Sequence, residues 1–427
     1  CMLASHRRRV VGALHARSRF LHSLPVAKIR SCTTGRRQCL MSTTTTDIEV
    51  DVIVPVHNAV ATLRETLRSA LHQVPLHDDD DGDNDDEPDV VASEQQRKRH
   101  PAIQIFVCCY DDGSSDESWD LLQKIAQEHE EAKKKTADTT KDGKYFLPSS
   151  ILIAKAKDGV SRGAGFARNR AVDLRKKQDD SSSSSCSAQQ YRFIAMLDSD
   201  DQMQPTRIAA QVQYLMRLDP DIRQRTLLGC TFARDPPDST WHYAHWANTL
   251  TDERLVLEQF REVTLLQPTW MMGRSWFETL GGYLEAPPLP SQPSSRFNVN
   301  DFVTTQINNQ DETLLHVVHP TFETNETLRV AEDTRFFYKH IHAGGHLRLL
   351  RTAKPLLIYK HRLGQSQSSL TPRKLLLHLR VRAFEHMILR RRHVNQTKQL
   401  WSKFCVWGAG RDGKDFIKAM QPEFRER

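Results

Sequence analysis

The stretch from Phe193 to Asp201, FIAMLDSDD, is an apolar run that ends in three acidic residues. A short apolar run bounded by polar residues is typical of a buried strand, and we predict one over 193–197. Three earlier stretches have the same form, an apolar run followed directly by a polar or glycine-rich turn. They are 48–56 before His57-Asn58, 103–109 before Tyr110-Asp111-Asp112-Gly113, and 151–156 before the turn at 159–165.

Amphipathic helical patterns separate these predicted strands. The helices are expected over 59–73, 118–130, 166–177 and 205–218. Strands that alternate with amphipathic helices predict an α/β fold with a mostly parallel sheet and helices on both faces. Parallel strands end at one edge of a sheet, where open α/β folds bind ligands, so we expect the four turns to form one site.

The residues in these turns suit a nucleoside diphosphate and a divalent cation. Asp198 and Asp200 are spaced to share one cation, and a few oxygen ligands favour Mg²⁺ or Mn²⁺ that also binds substrate phosphates. Asp111 and Asp112 can accept hydrogen bonds from a base or ribose, and Arg168 near a helix start can meet a diphosphate. Acidic turns after strands are common, so the combination, rather than any one turn, indicates a nucleotide-diphosphate pocket.

The four turn motifs carry a family resemblance. PVHN at 55–58, DDGSSD at 111–116, GAGFARN at 163–169 and LDSDD at 197–201 resemble, in this order, the family 2 glycosyltransferases of the GT-A fold, over about 47–365. The resemblance implies an inverting transferase that uses a UDP-sugar donor and Mn²⁺ or Mg²⁺. It assigns the nucleoside to Pro55, Val56, His57 and Asp111 or Asp112, the ribose or phosphate to Asp198, and the metal to Asp200 with Asp198.

The segment 331–337, AEDTRFF, resembles the acidic motif that precedes a helix in this family. Inverting sugar transfer needs a carboxylate that takes the proton from the acceptor hydroxyl as this hydroxyl attacks the anomeric carbon. The resemblance implies that Asp333 is this base, with Glu332 beside it on the acceptor side. Acidic residues also favour the first turn of any helix, which is the structural alternative. The metal would neutralise the charge on the departing nucleotide.

Further segments resemble a narrower group, the eukaryotic queuosine-tRNA galactosyltransferases, earlier described as β-1,3-N-acetylglucosaminyltransferase-like proteins. These segments are 228–230, 234–240, 267–270, 331–340, 356–361 and 404–410. The resemblance implies UDP-galactose as donor and, as acceptor, queuosine in the anticodon loop of tRNA(Tyr). Trp270 would stack on the sugar or the modified base, or belong to the core. Two rivals are a glycan or lipid acceptor and a non-catalytic RNA-binding relative.

Composition sets the wider limits. The 427 residues suffice for two to three domains, at about 150 residues each. A hydrophobic content of 38% and a mean hydropathy of −0.57 indicate polar insertions, which we place near 74–100, 131–150, 179–190 and 285–320. The apolar runs are far shorter than the roughly 20 residues of a membrane span. The eight cysteines lack CxxC spacing, which favours a reducing compartment and a cytoplasmic location.

The two ends of the chain have their own compositions. Residues 1–46 contain many arginines and no acidic residue, which predicts a basic disordered leader or a transit peptide, with a mitochondrial or plastid location as the alternative. The segment 366–403 predicts a basic amphipathic helix that contacts RNA phosphates, lies on a membrane surface or docks on the main domain. In 404–427, a strand-like run and Gly408-x-Gly410-x-x-Gly413 predict the start of a Rossmann-like unit.

Overall fold

The structure is a computed structural model that describes residues 48–76, 103–136, 149–179, 191–286, 327–361, 371–390, 403–406 and 410–426. The leader at 1–46, most of the polar insertions and residues 391–402 and 407–409 lie outside the described residues. The predicted domain boundaries therefore stay predictions. The main domain, by contrast, is described at every strand and turn that the sequence motifs predicted.

Seven strands of the described chain form one sheet, in the order β3-β2-β1-β4-β8-β6-β9. The first four are parallel, β8 is antiparallel to both of its neighbours, and β9 is parallel to β6. This arrangement confirms the predicted α/β fold with a mostly parallel sheet. The strands are β1 (Ile48–Val56), β2 (Ile103–Asp111), β3 (Ser150–Lys155), β4 (Tyr191–Met196), β6 (Thr226–Cys230), β8 (Met271–Gly273) and β9 (His346–Leu350).

The centre of the sheet is buried on both faces. In β1, eight residues are buried and Pro55 alone is partly exposed, as expected for a parallel strand covered by helices on either side. Val52 pairs with Val107 of β2 and with Ala195 of β4, so the core runs across the three strands. Cys108 and Cys109 are buried free thiols that pack in this core.

The helices follow the strands as predicted, with shifted ends. The helix expected at 59–73 is shorter, and the one expected at 118–130 continues through residues 131–136, which had been assigned to a polar insertion. The helices of the main domain are α1 (Leu63–Leu71), α2 (Ser118–Thr136), α3 (Ala164–Asp179), α4 (Arg207–Arg217), α5 (Pro220–Gln224), α6 (Trp241–Asn248), α7 (Asp252–Leu257), α8 (Arg274–Thr279) and α9 (Glu332–His342).

A second, three-stranded sheet lies after the acidic turn. Its order is β5 (Gln202–Met203), β10 (Leu357–Lys360) and β7 (Phe232–Asp235), with β10 antiparallel to β5 and parallel to β7. Because β5 begins one residue after Asp201, the small sheet is anchored directly to the LDSDD motif. The small sheet thus carries residues from three distant parts of the chain to this motif.

The basic segment forms helix α10 (Arg373–Phe384), which continues into a π-helical turn at Glu385–Leu389. Leu375 and Leu379 pack with Ala331, immediately before α9, so this part of the segment docks on the main domain. Helices α11 (Arg411–Ala419) and α12 (Pro422–Arg425) follow, and residues 403–406 form no strand. Among the described residues, every helix is too short or too polar to cross a bilayer.

Candidate functional site

The turns after β1 and β2 interlock through side-chain hydrogen bonds. The Asn58 backbone N–H donates to Ser114 Oγ at 3.0 Å, and Asn58 Oδ1 accepts from the Ser115 N–H at 2.8 Å. The Ala59 N–H donates to Ser118 Oγ at 2.7 Å. Asn58 lies in the left-handed region with φ 49°, which asparagine tolerates better than most residues. These hydrogen bonds therefore hold the PVHN and DDGSSD turns together as one unit at the carboxyl ends of β1 and β2.

Asp112 holds the turn after β3. Its Oδ2 accepts from the Ser161 hydroxyl at 2.9 Å and from the backbone N–H groups of Arg162 and Gly163 at 2.8 and 2.7 Å. Gly113, with φ 73°, lies so close that a Cβ there would stand 2.6 Å from the Gly159 carbonyl oxygen. One carboxylate oxygen of Asp112, Oδ2, is thus committed to the fold.

Two buried carboxylate oxygens remain available in this edge. Asp111 Oδ1 accepts from the Ser114 N–H at 3.0 Å, while Asp111 Oδ2 and Asp112 Oδ1 are buried and have no hydrogen-bond partner among the described residues. An unpaired buried acceptor is costly, and a bound N–H or O–H donor would remove that cost. The pair can accept hydrogen bonds from a base or a ribose.

The other predicted nucleoside residues differ in access. The Val56 side chain is fully buried and its carbonyl accepts from the Asp112 N–H at 2.8 Å, so any contact of Val56 with a nucleoside would be made by its backbone. Pro55 is partly exposed and His57 is exposed. His57 Nδ1 lies 3.1 Å from the Asp112 carbonyl oxygen, which fixes Nδ1 as the donor and orients the ring.

The LDSDD turn is held from two sides. The Ser199 carbonyl accepts from the hydroxyl of Thr62, just before α1, at 2.9 Å and from that of Thr66, within α1, at 3.0 Å. Asp201 Oδ1 accepts from the Lys360 N–H of β10 at 3.0 Å. Burial raises the pKa of Asp201, and the negative charges of Asp198 and Asp200 raise it further. Asp198, Asp200 and Asp201 thus concentrate negative charge in one turn.

Arg168 connects this turn to the acidic motif 331–337. It is buried, and its two Nη atoms donate to Asp198 Oδ1 at 2.6 Å and to Glu332 Oε1 at 2.8 Å. Two of its donors are therefore occupied by carboxylates, in contrast to the predicted contact with a diphosphate. The bridge joins residues 30 and 164 positions away from Arg168 in the sequence. It brings the predicted metal turn and the predicted base together.

Asp333 has the properties of a proton acceptor near neutral pH. It lies partly buried in the first turn of α9, and the Thr334 N–H donates to its Oδ1 at 2.6 Å. Burial and the neighbouring charge of Glu332 raise the pKa of Asp333 to about 6. A carboxyl group with such a pKa is mainly ionised at pH 7 yet more basic than an ordinary aspartate.

Close packing fixes the position of Glu332. A Cβ at Gly165 of α3 would lie 3.2 Å from Glu332 Cβ and 3.3 Å from Tyr283 Cβ, so a larger residue would displace one of them. Tyr283 is buried, and its ring lies 5.6 Å from the Arg168 guanidinium. The Asn169 side chain donates from Nδ2 to the Tyr283 carbonyl and accepts at Oδ1 from the Tyr283 N–H, both at 2.9 Å. Tyr283 and Asn169 support the site and were missed from the sequence, although Asn169 ends the GAGFARN motif.

Trp270 belongs to the core. It is fully buried, its indole N–H donates to the Leu265 carbonyl at 2.9 Å, and its ring packs 5.9 and 6.5 Å from the rings of Phe336 and Phe337. The alternative that it stacks on an acceptor is therefore wrong. Its indole N–H already has a buried partner, and its ring faces other aromatic side chains.

The donor set at the LDSDD turn fits Mg²⁺ or Mn²⁺. Among the described residues no three metal-ligating side chains converge, but such ions are commonly held by one or two carboxylates together with substrate phosphates. Asp198 and Asp200 supply hard oxygen atoms in a turn whose negative charge a cation would offset. Asp198 is 26% exposed on its side chain, so it can be reached.

Residues 51–144 match the family described as glycosyl transferase family 2. The matched segment begins within β1 and contains the PVHN and DDGSSD turns. It does not extend to Asp198, Arg168 or Asp333.

The chain is also similar to solved structures of TarS from S. aureus. One is TarS 1-349 in complex with UDP-GlcNAc, with a TM-score of 0.41 and 14% identity over 79% of this chain and 66% of that chain. Another, TarS, has a TM-score of 0.39 and 15% identity over 79% of this chain. This chain spans less than two thirds of these relatives, 40% in the second case.

Proposed function

We propose that this protein is an inverting, UDP-sugar-dependent glycosyltransferase that transfers galactose to queuosine in tRNA. The observation that carries the transferase assignment is the Arg168 bridge. It ties Asp198 of the LDSDD turn to Glu332, the neighbour of Asp333, so the proposed cation-binding turn and the proposed proton acceptor lie on either side of one guanidinium group. The match of residues 51–144 to glycosyl transferase family 2 supports the same class.

The donor would lie across the carboxyl ends of β1, β2 and β4. The free oxygens of Asp111 and Asp112 accept hydrogen bonds from the nucleoside, beside the oriented ring of His57. Asp198 and Asp200 would hold Mg²⁺ or Mn²⁺, and a bound cation would supply positive charge to offset that of the nucleoside diphosphate. Arg168 keeps Asp198 in place and offsets part of its charge.

The proton transfer belongs to Asp333. As the acceptor hydroxyl attacks the anomeric carbon, the bond from this carbon to the phosphate oxygen of UDP breaks and the hydroxyl proton passes to Asp333. The pKa of about 6 keeps the carboxylate ionised at neutral pH and able to take this proton. One attack from the side opposite the departing UDP inverts the anomeric configuration.

The acceptor assignment rests on the resemblance of the segments between Leu228 and Gly410 to queuosine-tRNA galactosyltransferases. The exposed basic residues of 371–390, such as Arg373, offer charge for tRNA phosphates, although the apolar side of α10 is docked on the main domain. A glycan or lipid acceptor is the competing outcome of the experiment below.

The test is transfer of labelled galactose from UDP-galactose to queuosine-containing tRNA, with tRNA lacking queuosine as the acceptor control. We expect label only in the queuosine-containing tRNA, lost in Asp200→Ala and retained in Asp219→Asn, a distant surface change. UDP-sugar turnover that depends on Asp200 but labels a glycan would overturn the tRNA assignment and keep the transferase. Turnover of the UDP-sugar that is unchanged in Asp200→Ala would overturn the proposed metal site.

A further inference from the structure

Arg234 lies in an aromatic environment on the small sheet. It is a register partner of Tyr359 on the adjacent parallel strand, and its guanidinium lies 4.2 Å from the centre of the Tyr359 ring. The rings of Phe232 and Tyr243 lie on other sides, each 5.9 Å from the guanidinium carbon. Three rings therefore surround one permanently charged group.

No acidic side chain of the described chain pairs with Arg234. Its Nε and Nη1 are buried and have no hydrogen-bond partner in the part of the chain that the structure describes. The aromatic faces attract the cation but cannot accept the in-plane hydrogen bonds of its N–H groups. Among the described residues, buried arginines elsewhere have a carboxylate or carbonyl partner on at least one nitrogen, as Arg168 and Arg274 do. Arg223, whose Nε and Nη1 also lack a partner, donates from Nη2 to two carbonyl oxygens. Arg234 is left with two donors for which a ligand is the natural partner.

Arg234 lies near the LDSDD turn. The ring beneath its guanidinium belongs to Tyr359, and the next residue, Lys360, donates its backbone N–H to Asp201 Oδ1 at 3.0 Å. Arg234 is therefore close to the turn that carries Asp198, Asp200 and Asp201.

We propose that Arg234 binds a phosphate oxyanion through the N–H groups of its guanidinium, in which Nε and Nη1 each share an edge with Nη2. The inference rests on the proposed function, which brings two phosphate sources to this position: the diphosphate of the UDP-sugar and the backbone phosphate next to the modified nucleoside. A guanidinium presents two parallel N–H donors that match a phosphate, and rings at its face hold the side chain in place for this contact.

The test compares Arg234→Gln and Arg234→Lys with wild type, and uses Arg261→Gln as the control. Arg261 also lies over an aromatic ring, 4.8 Å from Trp246, but it is 65% exposed and already paired with Glu258. The probes are UDP, uridine, queuosine-containing tRNA and inorganic pyrophosphate. Dissociation constants are measured by calorimetry, and those for tRNA at several salt concentrations.

We expect Arg234→Gln to weaken phosphate binding about tenfold or more, with Arg234→Lys intermediate and Arg261→Gln unchanged. If the donor is the source, the affinity for UDP falls and that for uridine does not. If tRNA is the source, the affinity for UDP is kept, while tRNA binding weakens and its salt slope decreases by about one. A structural role would instead lower the melting temperature of Arg234→Gln and leave these constants unchanged.

Unchanged binding of UDP, tRNA and pyrophosphate by Arg234→Gln would overturn the inference alone. Wild-type protein that binds neither UDP nor tRNA would overturn the proposed function. In that case pyrophosphate binding tests whether Arg234 binds a phosphate group. Weaker binding by Arg234→Gln than by wild type supports the inference, and equal or absent binding refutes it.

Discussion

Two clusters of charged side chains lie at opposite ends of the central strands. Near the start of β1, Glu49 and Asp51 meet the guanidinium groups of Arg175, Arg192 and Arg274; we call these five residues the paired cluster. At the carboxyl ends of the strands lies the acidic cluster, which consists of Asp111, Asp112, Asp198, Asp200, Asp201, Glu332 and Asp333. Its buried guanidinium groups are those of Arg168 and Arg207.

The two clusters differ in how their charges are balanced. In the paired cluster, Arg274 lies 2.5 Å from Asp51, and Arg175 and Arg192 lie 2.8 and 2.7 Å from Glu49. In the acidic cluster, seven carboxyl groups outnumber the buried cations, and three buried oxygens have no donor among the described residues. The paired cluster has one such oxygen, Asp51 Oδ1, which lies 3.3 Å from Arg175 Nε. Buried ion pairs of this kind serve the fold, whereas an excess of carboxyl groups is retained where a ligand completes it.

The largest effect is expected at the proposed base. Asp333→Asn keeps the shape of the side chain but cannot take a proton, so we expect kcat to fall by about 10²- to 10⁴-fold. The melting temperature should stay the same or rise, because burial already disfavours the charge of Asp333. Steady-state kinetics and thermal unfolding test this, with the exposed Asp252→Asn as the control. A lower melting temperature with normal kcat would place Asp333 in the fold rather than the chemistry.

The paired cluster should respond in the opposite way. Asp51→Asn leaves Arg274 and Arg175 without a charged partner at this position, and we expect the free energy of unfolding to fall by about 3 kcal/mol. The kcat of the folded fraction should be unchanged. Denaturant unfolding with parallel kinetics tests this, and Glu128→Gln, which breaks an exposed pair with Arg64, is the control. If Asp51→Asn lowered kcat but not stability, the distinction between the clusters would be lost.

A smaller effect concerns pH. Protonation of Asp333 should reduce kcat/KM as the pH falls through about 6. Because the charge of Glu332 raises the pKa of Asp333, Glu332→Gln should lower that pKa and move the acid limb to lower pH. The pH profile of kcat/KM measures this for both proteins. An acid limb that stays in place or moves to higher pH would contradict the proposed coupling.

The central strands were predictable from sequence because their apolar runs are distinct. β1 begins and ends where predicted, and β4 differs by one or two residues at each end. Helix ends were harder to place. The stretch 131–136 is lysine-rich and polar, which indicated a spacer, but good helix formers continue α2 through it.

The sequence motifs predicted which turns carry the candidate site residues, but not which other residues these contact. The motifs located the acidic residues, since parallel strands end at one edge. Periodicity carries no information on which residue meets which across long sequence separations, so the Arg168 bridge and the support from Tyr283 were missed. Trp270 could not be assigned because an aromatic residue before a short strand suits both a core and a ligand surface.

The alternation of strand, turn and helix also separates connections of fixed length from connections whose length can vary. The turns from β1 to α1, β2 to α2 and β3 to α3 are short and hydrogen-bonded to one another. The long polar additions at 77–102, 137–148 and 180–190 come instead between the end of a helix and the start of the next strand. Residues can therefore be added or removed at these positions without changing the spacing of the turns that carry the acidic and glycine-rich motifs.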